Sequence, residues 1–258
     1  MMKNNLVKIL VGLAAVALIA MIAVFLSLNS IVKNGVTAFG PEVIKAPIQL
    51  DGVSISAFSG RGEIKGLVVG NPEGFKTPNA VKLGTASLQV KPASLLGDKI
   101  VVQSIRADGA ELTFEGSLSG SNLSKIQENV DAYVASLIGP AAKDKKSAPG
   151  KKLQVDELVI SNAKINLSMT ILGGKAVSVP LPDIKLTGLG QGPEGLTPAE
   201  VIKVVMKEVM SKTTTAVTGA LGNLGKGVTD AAKSVGGAAA DAAKGVTKGI
   251  GDLFKKKE

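Results

Sequence analysis

The chain contains no cysteine, no histidine and no tryptophan, one tyrosine and only two arginines, Arg61 and Arg106, in 258 residues. Without cysteine there is no disulfide framework, thiol nucleophile or thiolate metal site, and redox chemistry gives no information on compartment. Without histidine, imidazole-dependent serine triads, His-liganded zinc and histidine pH switches are excluded. Carboxylate pairs remain, but the acids are scattered singly along alternating segments and no pair stands out in an apolar setting. The composition therefore points away from an enzyme, and no cofactor is expected.

The formal charge of +9 raises the question of nucleic acid, and its distribution answers it. Residues 1–33 carry three lysines and no acid, residues 34–211 carry 19 basic and 17 acidic groups, and residues 212–258 carry eight and four. The excess sits at the two ends, while the middle is nearly balanced. A base-reading or base-stacking surface combines arginines with aromatics, and this chain has few of either. No nucleic-acid partner is expected.

The strongest single feature is the run of 20 uncharged residues from Ile9 to Leu28. At about 1.5 Å per residue, such a run matches a hydrocarbon core roughly 30 Å thick. It exceeds the length of a signal-peptide core, and no small-x-small cleavage pattern follows it before Ser30. Lys3 and Lys8 precede it, which by the positive-inside rule predicts a cytoplasmic N-terminus. The expectation is a membrane anchor over residues 1–33, with a transmembrane helix at about 6–28.

From Ile48 to Phe114, β-branched residues alternate with polar ones between Gly, Pro and Asn punctuation, which predicts a succession of strands. The segment Val102 to Phe114 repeats as Val155 to Leu167, every matched position 53 residues apart, with Gly109 and Asn162 at corresponding places. Both residue types tolerate positive φ. The repeat reads as one hairpin used twice in an elongating antiparallel sheet. Leu123, Ile126, Val130, Tyr133, Val134 and Leu137 predict an amphipathic helix over 122–138, followed by a linker at about 140–152. Thr197-Pro198-Ala199-Glu200 is a capping box with proline at the first helical position, and it announces a further helix. In the Ala, Gly and Lys-rich tail, Asp230, Asp241 and Asp252 recur every 11 residues, a near-helical period. The tail's glycines weaken a helix in water, so it reads either as a solvated coil or as a segment that folds on an anionic lipid surface, with Lys255, Lys256 and Lys257 adding attraction.

The order of elements resembles the AsmA family of bacterial envelope proteins. The segment Gly66-Leu67-Val68-Val69-Gly70-Asn71-Pro72-Glu73-Gly74-Phe75 is similar to that family's strand and Asn-Pro-x-Gly-Phe turn. Ala86-Ser87-Leu88-Gln89-Val90 with Ser94-Leu95-Leu96, then Lys99 to Ile105 and Gly120 to Leu123, follow in the family's order. The resemblance covers about residues 5–190 and marks Asn71, Pro72, Gly74 and Phe75 as its turn motif. It implies an inner-membrane-anchored, single-pass protein with its bulk in the periplasm. Such a protein handles lipid, or supports outer-membrane and envelope homeostasis, through an apolar β groove, with membrane lipids and envelope proteins as partners. Strands stack about 4.8 Å apart, so roughly a dozen would extend about 50 to 60 Å, enough for an acyl chain.

The expected architecture is mainly β with α: an antiparallel twisted sheet over 34–196, forming an open groove or a sandwich with one or two packing helices, then a helical segment and amphipathic repeat tail over 197–258. Candidate groove-lining residues are Val53, Ile55, Leu88, Val90, Val102, Ile105, Leu112, Phe114, Leu158, Ile160, Ile165 and Leu167. The same alternation fits a filled sandwich core equally well. The Asn71-Pro72 turn also resembles late-embryogenesis-type immunoglobulin-like domains, which implies instead a membrane-tethered, stress-protective or protein-binding β module without catalysis.

Overall fold

In the computed structural model the described residues are 29–56, 58–117, 120–137, 151–168 and 177–235, with side chains described to residue 223. Helix α1 occupies residues 29–44. It is followed by β1 (Ile48–Ile55), β2 (Arg61–Gly70), β3 (Asn79–Val90), a short 3-10 helix (Pro92–Leu96), β4 (Lys99–Asp108), β5 (Glu111–Ser117) and the two-residue β6 (Gly120–Ser121). Helix α2 (Asn122–Ser136), β7 (Lys152–Ser161), β8 (Lys164–Ser168), β9 (Val177–Pro180), β10 (Ile184–Leu189) and helix α3 (Pro198–Val235) follow among the described residues.

Apart from β6, which pairs with the end of β5, pairing reduces these strands to six positions in chain order. Both β4 and β5 run antiparallel along the same edge of β3, the first against Ala86–Val90 and the second against Val81 and Lys82. In turn β7 lies parallel to β4 and β8 parallel to β5, while β9 and β10 pair antiparallel with β8 and β7. Each pair β4–β5, β7–β8 and β9–β10 is thus one long strand broken in the middle. Six positions at about 4.8 Å spacing make a sheet only about 24 Å wide, well short of the expected extension.

Two expectations are corrected here. The sheet is mixed, not antiparallel, and the 53-residue repeat is not a repeated hairpin. Its offset is the parallel register itself, since Ile105 pairs with Leu158 and Leu112 with Ile165. Helix α2 lies between the copies in sequence and returns the chain so that the second copy runs alongside the first, as a β-α-β crossover requires. Gly109 and Asn162 do have positive φ, 66° and 52°. They bend a continuing strand and do not reverse it. The bends stack: Gly109 N–H donates to Ser161 O, Lys164 N–H to Ala110 O and Leu181 N–H to Ala163 O. Asp108 Oδ1 also accepts from Ser161 Oγ and Asn162 Nδ2, hydrogen bonds that hold its carboxyl below the usual range, the Asn162 bond contributing most.

The bend crosses the whole sheet as a crease. At one level in every strand position the apolar spacing of two changes to three: Leu50 to Val53, Leu67 to Ile64, Leu83 to Ala86, Ala107 to Ala110, Ile160 to Ala163 and Leu181 to Ile184. Strand side chains alternate between faces, so one extra residue at the same level in each strand keeps the aliphatic set on one face while the sheet bends. At Gly66, φ is 59°, and a Cβ there would overlap the Asp51 carboxylate. The opposite face carries charge, with Glu157 bridging Arg106 and Lys185, and Glu111 paired with Lys164.

The three helices cover the half of this apolar face beyond the crease. Helix α2 buries Leu123, Ile126, Val130 and Val134, a helical spacing, and starts at Ser121 with a reciprocal Ser121–Ser124 capping box. Phe39 of α1 meets Tyr133 of α2 edge to face at 5.7 Å, and Lys203 of α3 bridges Asp131 of α2 at 2.9 Å. The Thr197–Glu200 capping box forms with both limbs, Thr197 N–H to the Glu200 carboxylate and Glu200 N–H to Thr197 Oγ1. The helix it starts runs to Val235, well into the Ala, Gly and Lys-rich region.

A third correction concerns the membrane. Among the described residues no helix is long and apolar enough to cross one. With 38 residues α3 is long enough at about 1.5 Å each, but Glu200, Lys203, Lys207, Glu208 and Lys212 interrupt it. The expected anchor at about 6–28 lies outside the described residues. The expectation of a transmembrane helix, a signal anchor and a single-pass inner-membrane placement is corrected accordingly.

Candidate functional site

The crease divides one apolar face into two halves of different accessibility. Beyond it, Leu112, Phe114, Ile165 and Leu167 are 4%, 1%, 0% and 3% exposed, and all four belong to the core beneath the helices. These expected groove residues are packed interior. On the near side, Val53, Ile55, Leu88, Val102, Ile105 and Ile160 are half-buried, and Val90 and Leu158 are buried.

Cross-strand register places the near-side residues together. Val53 pairs with Ile64, Leu88 with Ile105, Ile105 with Leu158, and Leu158 with Leu186. Val90 pairs with Val102 and Val102 with Val155, which continue the face toward the ends of the strands. Ile64, Val155 and Leu186 share this surface but were not among the candidates. The three-residue steps, Ile64 to Leu67 in particular, were the signal that would have found Ile64.

Two helices flank this surface. Along the free edge of β1, α1 caps the backbone: Asn29 Oδ1 accepts from Ile55 N–H at 2.7 Å, and Lys33 Nζ donates to Asp51 O at 2.8 Å. On the other side α3 packs against β10, β9 and β7, and Ile160, Ile184 and Leu186 join the core there. Between them the floor is formed by β1 to β4 and is aliphatic throughout. On the neighbouring β7 the Glu157 carboxylate lies on the opposite, charged face, and the Lys185 hydrogen bond above all holds it below the usual range. An uncharged floor of branched side chains provides no proton donor or nucleophile, but it does provide dispersion contacts and a surface that gains from leaving water.

The Asn71, Pro72, Gly74 and Phe75 turn lies at the opposite, helix-covered end and does structural work. Asn71 Nδ2 donates to Thr77 O and Thr77 Oγ1, while Asn71 Oδ1 accepts from Asn122 Nδ2 at 2.7 Å. Asn122 is fully buried and satisfied, its amide also donating to Thr113 O and accepting from Glu115 N–H. Burial opposes ionisation of Glu115, but hydrogen bonds from Thr77 Oγ1 and from the N–H groups of Lys76 and Thr77 prevail and hold its carboxyl below the usual range. Lys255, Lys256 and Lys257 lie outside the described residues. Among the described residues no group of three acids forms a cluster able to hold a metal ion.

The class these features define is a creased mixed β sheet, half of its apolar face covered by helices and half partly exposed among the described residues. Compared with protein-family models and with curated proteins, the chain matches none.

Proposed function

We propose that the near-side half of the sheet binds the acyl chain of a lipid, making this a non-catalytic lipid-handling protein, as its resemblance to the AsmA family implies. The observation that supports this reading is the half-buried aliphatic floor of Val53, Ile55, Ile64, Leu88, Val102 and Ile105. Side chains of the same type beyond the crease are sealed by helices, so among the described residues the difference in exposure follows from helix cover and not from residue type. A branched-chain floor recognises length and apolarity rather than headgroup chemistry, so it suits a hydrocarbon chain. Each methylene moved from water onto such a floor is worth up to about 0.8 kcal/mol.

Native mass spectrometry of the full chain, purified in mild detergent, tests the proposal. The expected result is a lipid adduct that disappears in a Leu88→Glu, Ile105→Glu double variant whose circular dichroism is unchanged. A chain free of lipid that also fails to take up added phospholipid contradicts it and favours the competing reading, a module whose aliphatic floor is covered by a partner protein.

A further inference from the structure

All three large apolar side chains that are strongly exposed among the described residues lie at one end of the molecule. Phe58, 91% exposed, sits in the loop joining β1 to β2, and Leu96, 78% exposed, ends the 3-10 helix joining β3 to β4. The two loops are adjacent, since Val90 N–H donates to Gly60 O and Gln89 Nε2 to Ser59 O, each at 2.7 Å. Ile31, 58% exposed, lies in the first turns of α1, which the Asn29–Ile55 hydrogen bond fixes to the same end.

Charge at this rim is in basic excess. Among the described residues, the strand ends and loops there bring Arg61, Lys91, Lys99, Lys151 and Lys152 against Asp98, Glu194 and Glu200, the last within electrostatic reach of Lys152. Neighbouring elements share the rim: Lys152 N–H donates to Asp98 O, Lys151 Nζ to Leu95 O and Lys99 Nζ to Gly192 O. The turn at the far end is balanced by comparison, with Glu73 and Lys76.

Apolar tips projecting from a basic rim match one kind of surface. Tips of this type gain by entering the acyl boundary, and lysines and arginines around them are drawn to anionic headgroups. We infer that this end of the protein docks on an anionic lipid surface, with Phe58 and Leu96 inserted and the basic rim seated on the headgroups. The contact needs no membrane-crossing helix, and it brings the surface to the end of the sheet at which the half-buried floor terminates. It extends the acyl-chain reading but is read by a different signal, so either can fail alone.

The absence of cysteine provides a clean test in the full chain. Phe58→Cys, Leu96→Cys and, as a control in the far-end turn, Glu73→Cys are each labelled with an environment-sensitive fluorophore. They are then mixed with vesicles of phosphatidylcholine, with and without phosphatidylglycerol. The expected result is a blue shift and quenching by lipid-borne quenchers at positions 58 and 96 but not at 73, dependent on phosphatidylglycerol and weakened by salt. Unchanged spectra at 58 and 96 overturn the inference and leave the rim to a protein partner. Equal responses at all three positions, or responses independent of phosphatidylglycerol, also overturn it. In a Lys91→Glu, Lys151→Glu background, the phosphatidylglycerol needed for half-maximal shift rises by about thirtyfold or more, since the two lysines lost are worth about 1 kcal/mol each.

Discussion

The two halves of the sheet are built from the same residue types on the same face, yet one is a core and the other a surface. Ile165 and Ile105 occupy equivalent places on neighbouring rows, and the first is fully buried while the second is half-buried. What separates them is cover: among the described residues, α1, α2 and α3 converge beyond the crease, and on the near side α1 and α3 line the flanks. A β surface of Val, Ile and Leu becomes interior or binding floor according to what the rest of the chain lays over it.

Substitutions to alanine should separate the halves most sharply. Ile165→Ala is expected to cost about 3 to 4 kcal/mol in urea unfolding, because it leaves a cavity under the helices. Ile105→Ala is expected to cost about 1 kcal/mol, because it removes only partly buried surface. Equal losses would mean that the near side is sealed too. Asn122→Ala should cost about 3 kcal/mol, since it strands the partners at Asn71, Thr113 and Glu115 in the covered half.

Glu115 adds a pH-dependent component to that half. Its folded pKa is depressed, so its stabilisation is present above the unfolded carboxylate pKa and lost as pH falls through the folded value. Glu115→Gln should cost about 1 to 2 kcal/mol near neutrality. The difference between wild type and variant should shrink on acidification, measured as unfolding midpoints across that range.

At the crease the expected effect depends on what a new side chain would meet. Gly66→Ala should cost about 2 kcal/mol, because a left-handed φ is combined with overlap on Asp51. Gly109→Ala should cost about 1 kcal/mol, because its Cβ would meet open space and only the φ penalty remains. Thermal unfolding of the two variants side by side checks the ordering.

The local features were largely legible in the sequence. The apolar stripe of α2, the Thr197–Glu200 cap and the positive-φ residues Gly109 and Asn162 all follow from short-range chemistry. Their long-range consequence was not legible, because a glycine or asparagine in the left-handed region can close a hairpin or bend a continuing strand. The outcome depends on whether the flanking segments pair with each other or share a neighbour, and here β4 and β5 share β3. The 53-residue offset contained the parallel register, but a repeat alone does not state the direction of pairing. Alternation likewise marked the apolar face without showing which part of it helices would cover, so Leu112, Phe114, Ile165 and Leu167 read the same as Leu88 and Ile105. The Ile9–Leu28 run remains a feature of the sequence alone, with no membrane-crossing helix among the described residues.

The most direct test of the account is photocrosslinking with a phospholipid carrying a diazirine in its acyl chain, followed by peptide mapping on the full chain. Labels on the peptides containing Val53 to Ile64, Leu88 and Val102 to Ile105 are the predicted result. Labels confined to the helices or to Leu112, Phe114, Ile165 and Leu167, or none at all, would contradict it.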